Sequence, residues 1–388
     1  MTPSSVGTLT GGGGGDTLFG AMAADVLYGG DGNDIITVTK YIDNKQDIID
    51  GGVGVDTFVF AATPTVYNLD MGKDGLGGYF APNNFSDYTS GITQPGLGAY
   101  VTLNNIENIR ILNTNYNGTI VASNLDNEII ANSMTSTITI DYRYAGLSNT
   151  NGGQGVTVDL TKAAGLVNVS GGSGNDVISN FDNVNGSTFN DVITGNGNAN
   201  KLSGAAGNDT LNGGGGDDTL DGGAGADTFS GGLGTDTVTY ASASAGVRAD
   251  MRSNNLTYAN ANETGDAKGD TFDGSVENLT GSNYDDILIG DNNTNTINGG
   301  TGNDTIVGGK GDTLYGGTGD DIFKLTIGDL PSFTIGDANS TSPSKGDQVE
   351  ISGLGTTFNL SSLVSTSTNG SSTLTTGIET LNIREAGF

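Results

Sequence analysis

The sequence predicts an all-β protein built from short strands that stack on one another. It has 67 Gly in 388 residues, and its acidic residues are almost all Asp, because only seven of the 44 are Glu. Both residue types favour turns over helix interiors. A nine-residue repeat also recurs along the chain and places one apolar residue in each unit. A three-residue strand with one apolar side chain buries too little alone, so the units must stack.

The repeat has the form Gly-Gly-x-Gly-x-Asp-x-U-x, where U is apolar, and residues 222–230 (GGAGADTFS) are a clear example. Sixteen units cover 143 residues: three in 11–37, one each at 51–59 and 171–179, six in 186–239, and five in 281–324, where 308–315 is one residue short. A Gly-rich acidic chain can be disordered. The regular placement of the apolar residues argues against disorder here.

Two positions of the repeat are nearly invariant along the chain. The eighth position is apolar in every unit: Leu18, Leu27, Ile36, Phe58, Ile178, Ile193, Leu202, Leu211, Leu220, Phe229, Val238, Leu288, Ile297, Ile306, Leu314 and Phe323. The sixth is Asp in 14 units and Asn in two: Asp16, Asp25, Asp34, Asp56, Asp176, Asp191, Asn200, Asp209, Asp218, Asp227, Asp236, Asp286, Asn295, Asp304, Asp312 and Asp321. We expect the eighth position to point into a core.

The sixth-position residues are candidate metal ligands. Glycine at three of the first four positions lets the backbone turn tightly and present its carbonyl groups to an ion. Aspartate then supplies a hard anionic oxygen, which suits Ca²⁺. Asn200 and Asn295 keep an oxygen but lose the charge, so their sites should be weaker. The alternative is that each Asp merely caps a glycine turn, and it is strongest for the isolated units 51–59 and 171–179.

This pattern resembles the calcium-binding nonapeptide of the RTX (hemolysin-type) family. The resemblance implies a calcium-loaded parallel β-roll, a form of β-solenoid, in which six residues of each unit turn around the ion. The last three residues form a strand with U inward, and each ion lies between units n and n+2. Tandem pairs then give one site in 11–37, four in 186–239 and three in 281–324, about eight or more Ca²⁺ ions in all.

Charge repulsion makes the metal necessary for folding. Residues 186–239 contain seven Asp and one Lys, a net charge of −6 in a compact stack. We therefore expect the repeats to be unfolded without calcium and folded with it.

Composition excludes several function classes. The chain has no His and no Cys, so it lacks the residues of His-dependent zinc sites, Ser-His-Asp triads, thiol nucleophiles and disulfides. Its formal charge of −30 argues against nucleic-acid binding. The apolar runs are too short for membrane insertion. Residues 1–10 do not resemble a cleaved signal peptide.

The repeat blocks suggest six segments. They are an N-terminal RTX β-roll (1–60), a β-rich segment with decayed repeats (61–170), a central RTX β-roll (171–239), a β insertion (240–280), a third RTX β-roll (281–325) and a C-terminal β segment with a type I secretion signal (326–388). In the second segment, 122–130 and 131–139 keep the nine-residue spacing without a regular metal carboxylate. They are predicted to continue the solenoid without an ion.

A second motif recurs outside the repeats. It reads Ile106-Glu107-Asn108-Ile109, Val276-Glu277-Asn278-Leu279 and Ile378-Glu379-Thr380-Leu381, with Phe181-Asp182-Asn183-Val184 as a variant. The simpler interpretation is a strand with two inward apolar residues that begins a stack. The alternative is a calcium or partner role for the Glu.

The sequence also resembles, more loosely, the RTX-type S-layer proteins of bacteria. The shared features are nonapeptide blocks mixed with strands of the Ile-Glu-Thr-Leu type. This resemblance implies a secreted structural protein, exported by a type I system that reads an uncleaved C-terminal signal. The stack at 11–37 and the strand motif at 376–388 lie near opposite ends of the sequence, and uncapped solenoid ends tend to associate. We expect the 376–388 end of one copy to contact the 1–37 end of another, which makes the chain its own partner.

Two other functions stay open from the sequence. A β-helix polysaccharide-modifying enzyme could use Asp141-Tyr142-Arg143-Tyr144 and Lys73-Asp74, although alternating Tyr and Arg is usually ordinary strand surface. An adhesin or glycan binder could use aromatic side chains of the Gly- and Asn-rich 66–118 region. Its candidates are Tyr79, Tyr88, Tyr100 and Tyr116.

Overall fold

The computed structural model describes a large part of the chain, and every structural statement below concerns that part. The described residues are 7–20, 25–38, 47–60, 68–70, 78–81, 101–104, 108–111, 119–122, 126–131, 138–143, 145, 154–161, 167–171, 176–252, 265–326, 334–336, 348–352 and 380–383. The chain divides into two compact units, Met1–Asn196 and Gly197–Phe388. Their boundary falls inside the block 171–239.

Unit 1 contains eighteen strands among its described residues. They are β1 (Gly7–Gly13), β2 (Thr17–Gly20), β3 (Asp25–Asp31), β4 (Ile35–Val38), β5 (Asp47–Val53), β6 (Thr57–Phe60), β7 (Asn68–Asp70), β8 (Gly78–Ala81), β9 (Val101–Asn104), β10 (Asn108–Ile111), β11 (Thr119–Val121), β12 (Glu128–Ala131), β13 (Thr139–Asp141), β14 (Val156–Asp159), β15 (Val167–Gly171), β16 (Asp176–Ser179), β17 (Asn183–Asn185) and β18 (Val192–Thr194).

Unit 2 contains sixteen described strands and one short 3-10 turn, Gly265–Ala267. The strands are β19 (Lys201–Ser203), β20 (Thr210–Gly215), β21 (Thr219–Asp221), β22 (Thr228–Leu233), β23 (Thr237–Thr239), β24 (Arg248–Asp250), β25 (Thr271–Phe272), β26 (Asn278–Thr280), β27 (Ile287–Ile289), β28 (Thr296–Thr301), β29 (Thr305–Val307), β30 (Thr313–Thr318), β31 (Ile322–Thr326), β32 (Thr334–Gly336), β33 (Gln348–Ser352) and β34 (Thr380–Ile383). The all-β prediction is confirmed: no α-helix occurs in the described part of the chain.

Each unit is a parallel β-solenoid, because strands two apart in the repeat pair side by side. In unit 2, β20 pairs with β22 in parallel, so Leu211 lies beside Phe229, eighteen residues further on. The strands between them pair in the same way in a second sheet, where Leu220 lies beside Val238. Two nonapeptides therefore make one coil with a strand in each sheet.

Antiparallel pairs interrupt the solenoid only in the insertions of unit 1, within the described residues. They join β7 to β8, β8 to β9, β14 to β15 and β15 to β16. These strands lie outside the tandem nonapeptides, apart from β16, which belongs to the unit 171–179. The prediction of β-strand insertions between repeat blocks is therefore confirmed for this part of unit 1.

The core of unit 1 and the core of unit 2 each consist of apolar ladders, to which the eighth-position residues of the nonapeptides contribute. All sixteen of these side chains are buried, with 5% or less of their surface exposed. In unit 1 one ladder runs Leu18, Ile36, Phe58, Ile109, Ile129 and Ile178. In unit 2 one runs Leu202, Leu220, Val238, Leu279, Ile297 and Leu314. Side chains alternate between the two faces of a strand, so the middle residue of each three-residue strand points inward.

The decayed units follow the solenoid, but one frame is shifted. Ile129 joins the ladder from the unit 122–130, as the spacing predicts. In the next unit the ladder residue is Ile140, paired with Ile120 and Val184, rather than Ile138, which is two residues earlier. Ile138 is also fully buried and occupies the place that Asp takes in an intact repeat. Both positions are isoleucine, so the sequence alone could not fix the register.

Candidate calcium sites

The sixth-position aspartates form ladders of their own, one carboxylate per coil. In each pair the backbone N–H of one Asp donates to Oδ1 of the Asp one coil further on. The distance is 2.8 Å from Asp209 to Asp227 and 2.9 Å from Asp218 to Asp236. The same bond joins Asp16 to Asp34, Asp34 to Asp56, Asn200 to Asp218, Asp286 to Asp304, Asn295 to Asp312 and Asp304 to Asp321. One carboxylate oxygen of each acceptor Asp is thus committed to the fold.

The other oxygen, Oδ2, is left over in many of these aspartates. It is buried and accepts no hydrogen bond from any described residue in Asp16, Asp34, Asp218, Asp227, Asp236 and Asp304. A buried carboxylate oxygen without a donor costs free energy, and such groups normally find a partner. A bound cation is a partner of the right charge.

A backbone carbonyl lies beside the spare oxygen. A Cβ added to Gly29, the first residue of its unit, would overlap both Asp34 Oδ2 and the carbonyl oxygen of Gly51 in the next coil. The same pair of oxygens faces Gly299, where they belong to Asp304 and Gly316. Carboxylate and carbonyl oxygens are the donors that Ca²⁺ takes in proteins, so the residues fit this ion.

Burial also affects the ionisation of these carboxyl groups. It raises the pKa of Asp218 and of Asp227 from 3.8 to about 6, and that of Asp304 to about 7. Neighbouring aspartates contribute to these shifts after burial, Asp236 for Asp218 and Asp321 for Asp304. A divalent cation would offset both the desolvation and the repulsion.

The donor set is poor in carboxylates. No group of three or more Asp, Glu, His or Cys side chains gathers at one point in the described part of the chain. Each candidate site therefore combines a carboxylate from the ladder with backbone carbonyls of the turns. This is why glycine rather than further acidic residues dominates the turns.

The structure buries nearly all the predicted site residues. Those buried are Asp34, Asp56, Asp176, Asp191, Asn200, Asp209, Asp218, Asp227, Asp236, Asp286, Asn295, Asp304, Asp312 and Asp321. Asp16 is partly buried, and its Oδ2 is buried. Asp25 belongs to β3, but its side chain lies outside the described residues.

The isolated unit 51–59 proves to be part of the first stack. Gly52 pairs with Gly30, and the N–H of Asp34 donates to Asp56 Oδ1 over 2.7 Å. The two units therefore belong to one ladder, although residues 38–50 separate them in the sequence. Asp34 Oδ2 therefore faces a second candidate site, beyond the one that tandem spacing predicts in 11–37.

Two further ladder positions lie outside the sixteen repeats: Asp270, which the sequence analysis missed, and Glu277, whose motif it gave a calcium role only as an alternative. Asp270 Oδ1 accepts the N–H of Asp227 over 2.8 Å, and Glu277 Oε2 accepts that of Asp236 over 2.8 Å. Asp270 lies in GDAKGDTFD, which keeps the sixth Asp and the eighth apolar residue of a nonapeptide without its glycine pair. The long insertion before it breaks the nine-residue frame that would have revealed it.

The second motif is a coil strand, as its simpler interpretation predicts. Val276 and Leu279 are both buried, and Leu279 joins the ladder between Val238 and Ile297. Phe181 and Val184 are buried in the same way. Glu277 supplies the carboxylate that Asp supplies elsewhere. Glu107 and Glu379 lie outside the described residues.

The candidate catalytic strand is mostly buried where it is described. Tyr142 is fully buried, and burial raises the pKa of its hydroxyl well above 10. The Arg143 guanidinium forms an ion pair with the buried Asp141 carboxylate. Tyr144, Lys73, Asp74, Tyr88, Tyr100 and Tyr116, and the side chain of Tyr79, lie outside the described residues.

Comparison with known families agrees with this geometry. The RTX calcium-binding nonapeptide repeat (4 copies) matches residues 7–37, 171–211, 203–238, 280–312 and 308–329, together less than half of the chain. The chain therefore carries RTX calcium-binding nonapeptide repeats, which bind calcium and are typical of secreted proteins. A search of curated proteins found no match. Among the described residues there is no helix of the length and apolarity needed to cross a bilayer.

Proposed function

We propose that this chain is a secreted structural protein that folds on binding Ca²⁺ outside the cell and then assembles with copies of itself. The observation that carries the proposal is the row of buried aspartate oxygens without a hydrogen-bond donor among the described residues. A fold that buries these charges at neutral pH needs a cation at each of them.

The charge of the chain fits export before folding. With a formal charge of −30, the calcium-free chain repels itself and stays extended where calcium is scarce. Outside the cell, calcium is plentiful and binds only the folded form, so it shifts the equilibrium toward folding. Passage through a type I system, with a signal in the C-terminal segment 326–388, is consistent with this order of events.

Self-assembly is supported by free strand edges and by exposed apolar side chains. In the described residues β1 pairs on one side only, with β3, and β34 pairs only with β33. On neighbouring strands β2 and β4, Phe19 and Ile35 lie exposed on the outer face of the sheet. Edges and apolar patches of this kind favour association. The assembly we propose is a surface layer, sheath or filament in which the 376–388 end of one copy contacts the 1–37 end of the next.

A non-catalytic role is part of the proposal. Tyr142 is buried in the core and Arg143 is held in an ion pair with Asp141, which supports a structural use of this strand. The same coils that hold the candidate calcium sites make up most of the described residues. A structural scaffold is a function to which all of these coils contribute.

Assembly is tested by analytical ultracentrifugation and electron microscopy of the pure protein in calcium and in a chelator. We expect sheets or filaments in calcium, and a loss of assembly but not of β structure when 376–388 is deleted. A calcium-loaded protein that stays monomeric at all concentrations would refute the structural role. Glycan binding by such a monomer would favour the adhesin alternative.

A further inference from the structure

The turns of the solenoid are of two kinds, which differ in what the sixth residue's free oxygen contacts. In the turn Gly281–Asp286 (GSNYDD) the backbone N–H of Ser282 donates to Asp286 Oδ2 over 2.6 Å. The Ser282 hydroxyl donates to Asp286 Oδ1 over 2.8 Å and accepts the N–H of Tyr284 over 3.0 Å. In this turn the N–H of the second residue donates to a side-chain oxygen of the Asp that ends the turn, and we call a turn with this bond to its last Asp or Asn a closed turn.

The same arrangement occurs in unit 1. In the turn Gly186–Asp191 (GSTFND) the N–H of Ser187 donates to Asp191 Oδ2 over 2.6 Å, and its hydroxyl donates to Oδ1 over 2.8 Å. The N–H of Phe189 donates to Ser187 Oγ over 3.1 Å. Serine at the second position thus closes the turn in both places.

Two further turns in the third block are closed by other means. In Gly290–Asn295 the N–H of Asp291 donates to Asn295 Oδ1 over 2.9 Å, and Asp291 Oδ1 accepts the N–H of Asn293 over 2.7 Å. In the shortened unit 308–315 the N–H of Gly309 donates to Asp312 Oδ2 over 2.6 Å.

The Gly-Gly-x-Gly turns have a different backbone. In the turn Gly299–Asp304, Gly300 and Gly302 are left-handed, with φ of +105° and +128°. Ser282 and Tyr284 occupy these two positions in the closed turn and have no such φ. In another Gly-Gly turn the second N–H, that of Gly232, donates over 3.0 Å to Ser275 Oγ in the next coil. Such open turns leave Oδ2 of their Asp without a donor from the described residues, as in Asp236 and Asp304.

We propose that calcium is held by the open turns alone, and that the closed turns replace the ion with hydrogen bonds of their own. This inference rests on the calcium-binding part of the proposed function. An N–H aimed at the carboxylate oxygen puts a positive partial charge where the cation would approach, so the two partners exclude each other. Serine, or Asp291, at the second position is the sequence signal that marks a metal-free turn, and in 308–315 the signal is the missing residue.

The proposal changes the expected calcium content of the third block. Tandem spacing gives three sites in 281–324. The first would use the turn that ends at Asp286, and the second would lie between the turns that end at Asn295 and Asp312. All three of these turns are closed. The remaining site lies between 299–307 and 316–324, where Asp304 Oδ2 lies near the Gly316 carbonyl oxygen and has no donor among the described residues. The stacks at 186–239 and 281–324 each begin with a turn that needs no ion.

The test counts calcium ions per full-length chain by equilibrium dialysis and elemental analysis, for the wild type and three variants. Asp304→Asn keeps an oxygen for the N–H of Asp286 but loses Oδ2, so it should bind one ion fewer. Ser282→Ala should bind the same number as the wild type. Ser282→Gly with Tyr284→Gly writes an open-turn sequence, GGNGDD, and should bind one ion more. Circular dichroism in saturating calcium checks that each variant folds.

Loss of an ion in Ser282→Ala, an unchanged count in Asp304→Asn, or no gain in the double variant would each overturn the proposal. If a Ser282 variant does not fold, Ser187→Ala repeats the test in the other Ser turn, and loss of an ion there has the same meaning. A wild-type chain that binds no calcium would instead refute the proposed function. The two failures are therefore distinguishable.

Discussion

At the scale of the residue, the sixth-position aspartate has a separate task for each oxygen. Oδ1 of Asp236 accepts the N–H of Asp218 and sets the distance between coils. Oδ2 is buried without a donor among the described residues and is the oxygen that calcium would bind. Asn200 and Asn295 keep the backbone N–H that donates to the next coil, to Asp218 and Asp312, but lack the second carboxylate oxygen. They can therefore occupy the ladder without supplying the charge that calcium would bind.

The first glycine of an open turn leaves no room for a side chain. We predict that Gly29→Ala lowers the free energy of unfolding in calcium by about 1–3 kcal/mol and raises the calcium concentration at the folding midpoint. The reason is that its Cβ would overlap Asp34 Oδ2 and the Gly51 carbonyl oxygen. Calcium titration followed by circular dichroism measures both effects. In the same stack, a Cβ on Gly13 would meet nothing within 4 Å. Gly13→Ala, the matched control, should therefore lie within about 0.5 kcal/mol of the wild type, and equal effects of the two substitutions would contradict this account.

Ala205 is strained by its backbone, and relieving the strain should stabilise the protein. It occupies the second position of the turn 204–209 (GAAGND) with φ of +76°, where the Gly-Gly-x-Gly turns have glycine. We predict that Ala205→Gly raises the free energy of unfolding by about 0.5–1 kcal/mol, since the left-handed penalty exceeds the entropy that glycine adds to the unfolded chain. Ala206→Gly, one residue on and without a left-handed φ, should lower it. Denaturant unfolding in saturating calcium compares them, and stabilisation by Ala206→Gly alone would count against the strain argument.

At the scale of the element, the sequence predicts the intact nonapeptides well. The eighth residue of every unit is buried, and the pairing offset of two units is the one expected of a β-roll. The sequence is a poor guide where a coil departs from the nine-residue frame. The coil with Asp270 follows a long insertion, and the ladder residue Ile140 has Ile138 two positions before it. The nine-residue pattern alone did not separate open from closed turns. The second-position serine marks two closed turns only once the structure shows where its N–H points.

The coil that the sequence analysis missed contributes to the core of unit 2. Phe272 is buried and stacks on Phe229, with ring centroids 5.5 Å apart. We predict that Phe272→Ala lowers the free energy of unfolding by about 3–5 kcal/mol in calcium. Leu233→Ala in the same unit removes a side chain that is 79% exposed, and it should cost less than about 0.5 kcal/mol. Denaturant unfolding tests both. A small effect at Phe272 would show that residues 265–273 are not a coil of the solenoid.

The stacks should also respond to pH when calcium is absent. The pKa is raised to about 6 for Asp218 and Asp227 and to about 7 for Asp304, whereas the carboxyls of the unfolded chain titrate near 4. The folded state therefore binds more protons between about pH 4 and 7, and its stability rises as the pH falls through this window. We predict more β structure in the calcium-free chain at pH 5 than at pH 8 by circular dichroism. Protons compete with calcium for these carboxylates, so the calcium concentration at the folding midpoint should rise as the pH falls through this range. A calcium-free chain that loses β structure on acidification would contradict the assignment.

At the scale of the whole molecule, charge and fold point to the same switch. Residues 186–239 alone carry a net charge of −6, and the chain as a whole −30. The aspartates responsible are directed inward by the ladders, which is the opposite of what a stable metal-free protein would do with its charges. The sequence predicts this dependence on calcium, while the partner of the folded form depends on surfaces that periodicity does not encode.

The measurement that tests this account most directly is a calcium titration of the pure full-length protein at neutral pH, followed by far-ultraviolet circular dichroism. The account predicts a largely unfolded chain in chelator and a cooperative gain of β structure as calcium is added. It also predicts that magnesium at the same concentration does not replace calcium, because the smaller ion gives up its water reluctantly. A chain with the same β structure in chelator as in millimolar calcium would contradict the central claim.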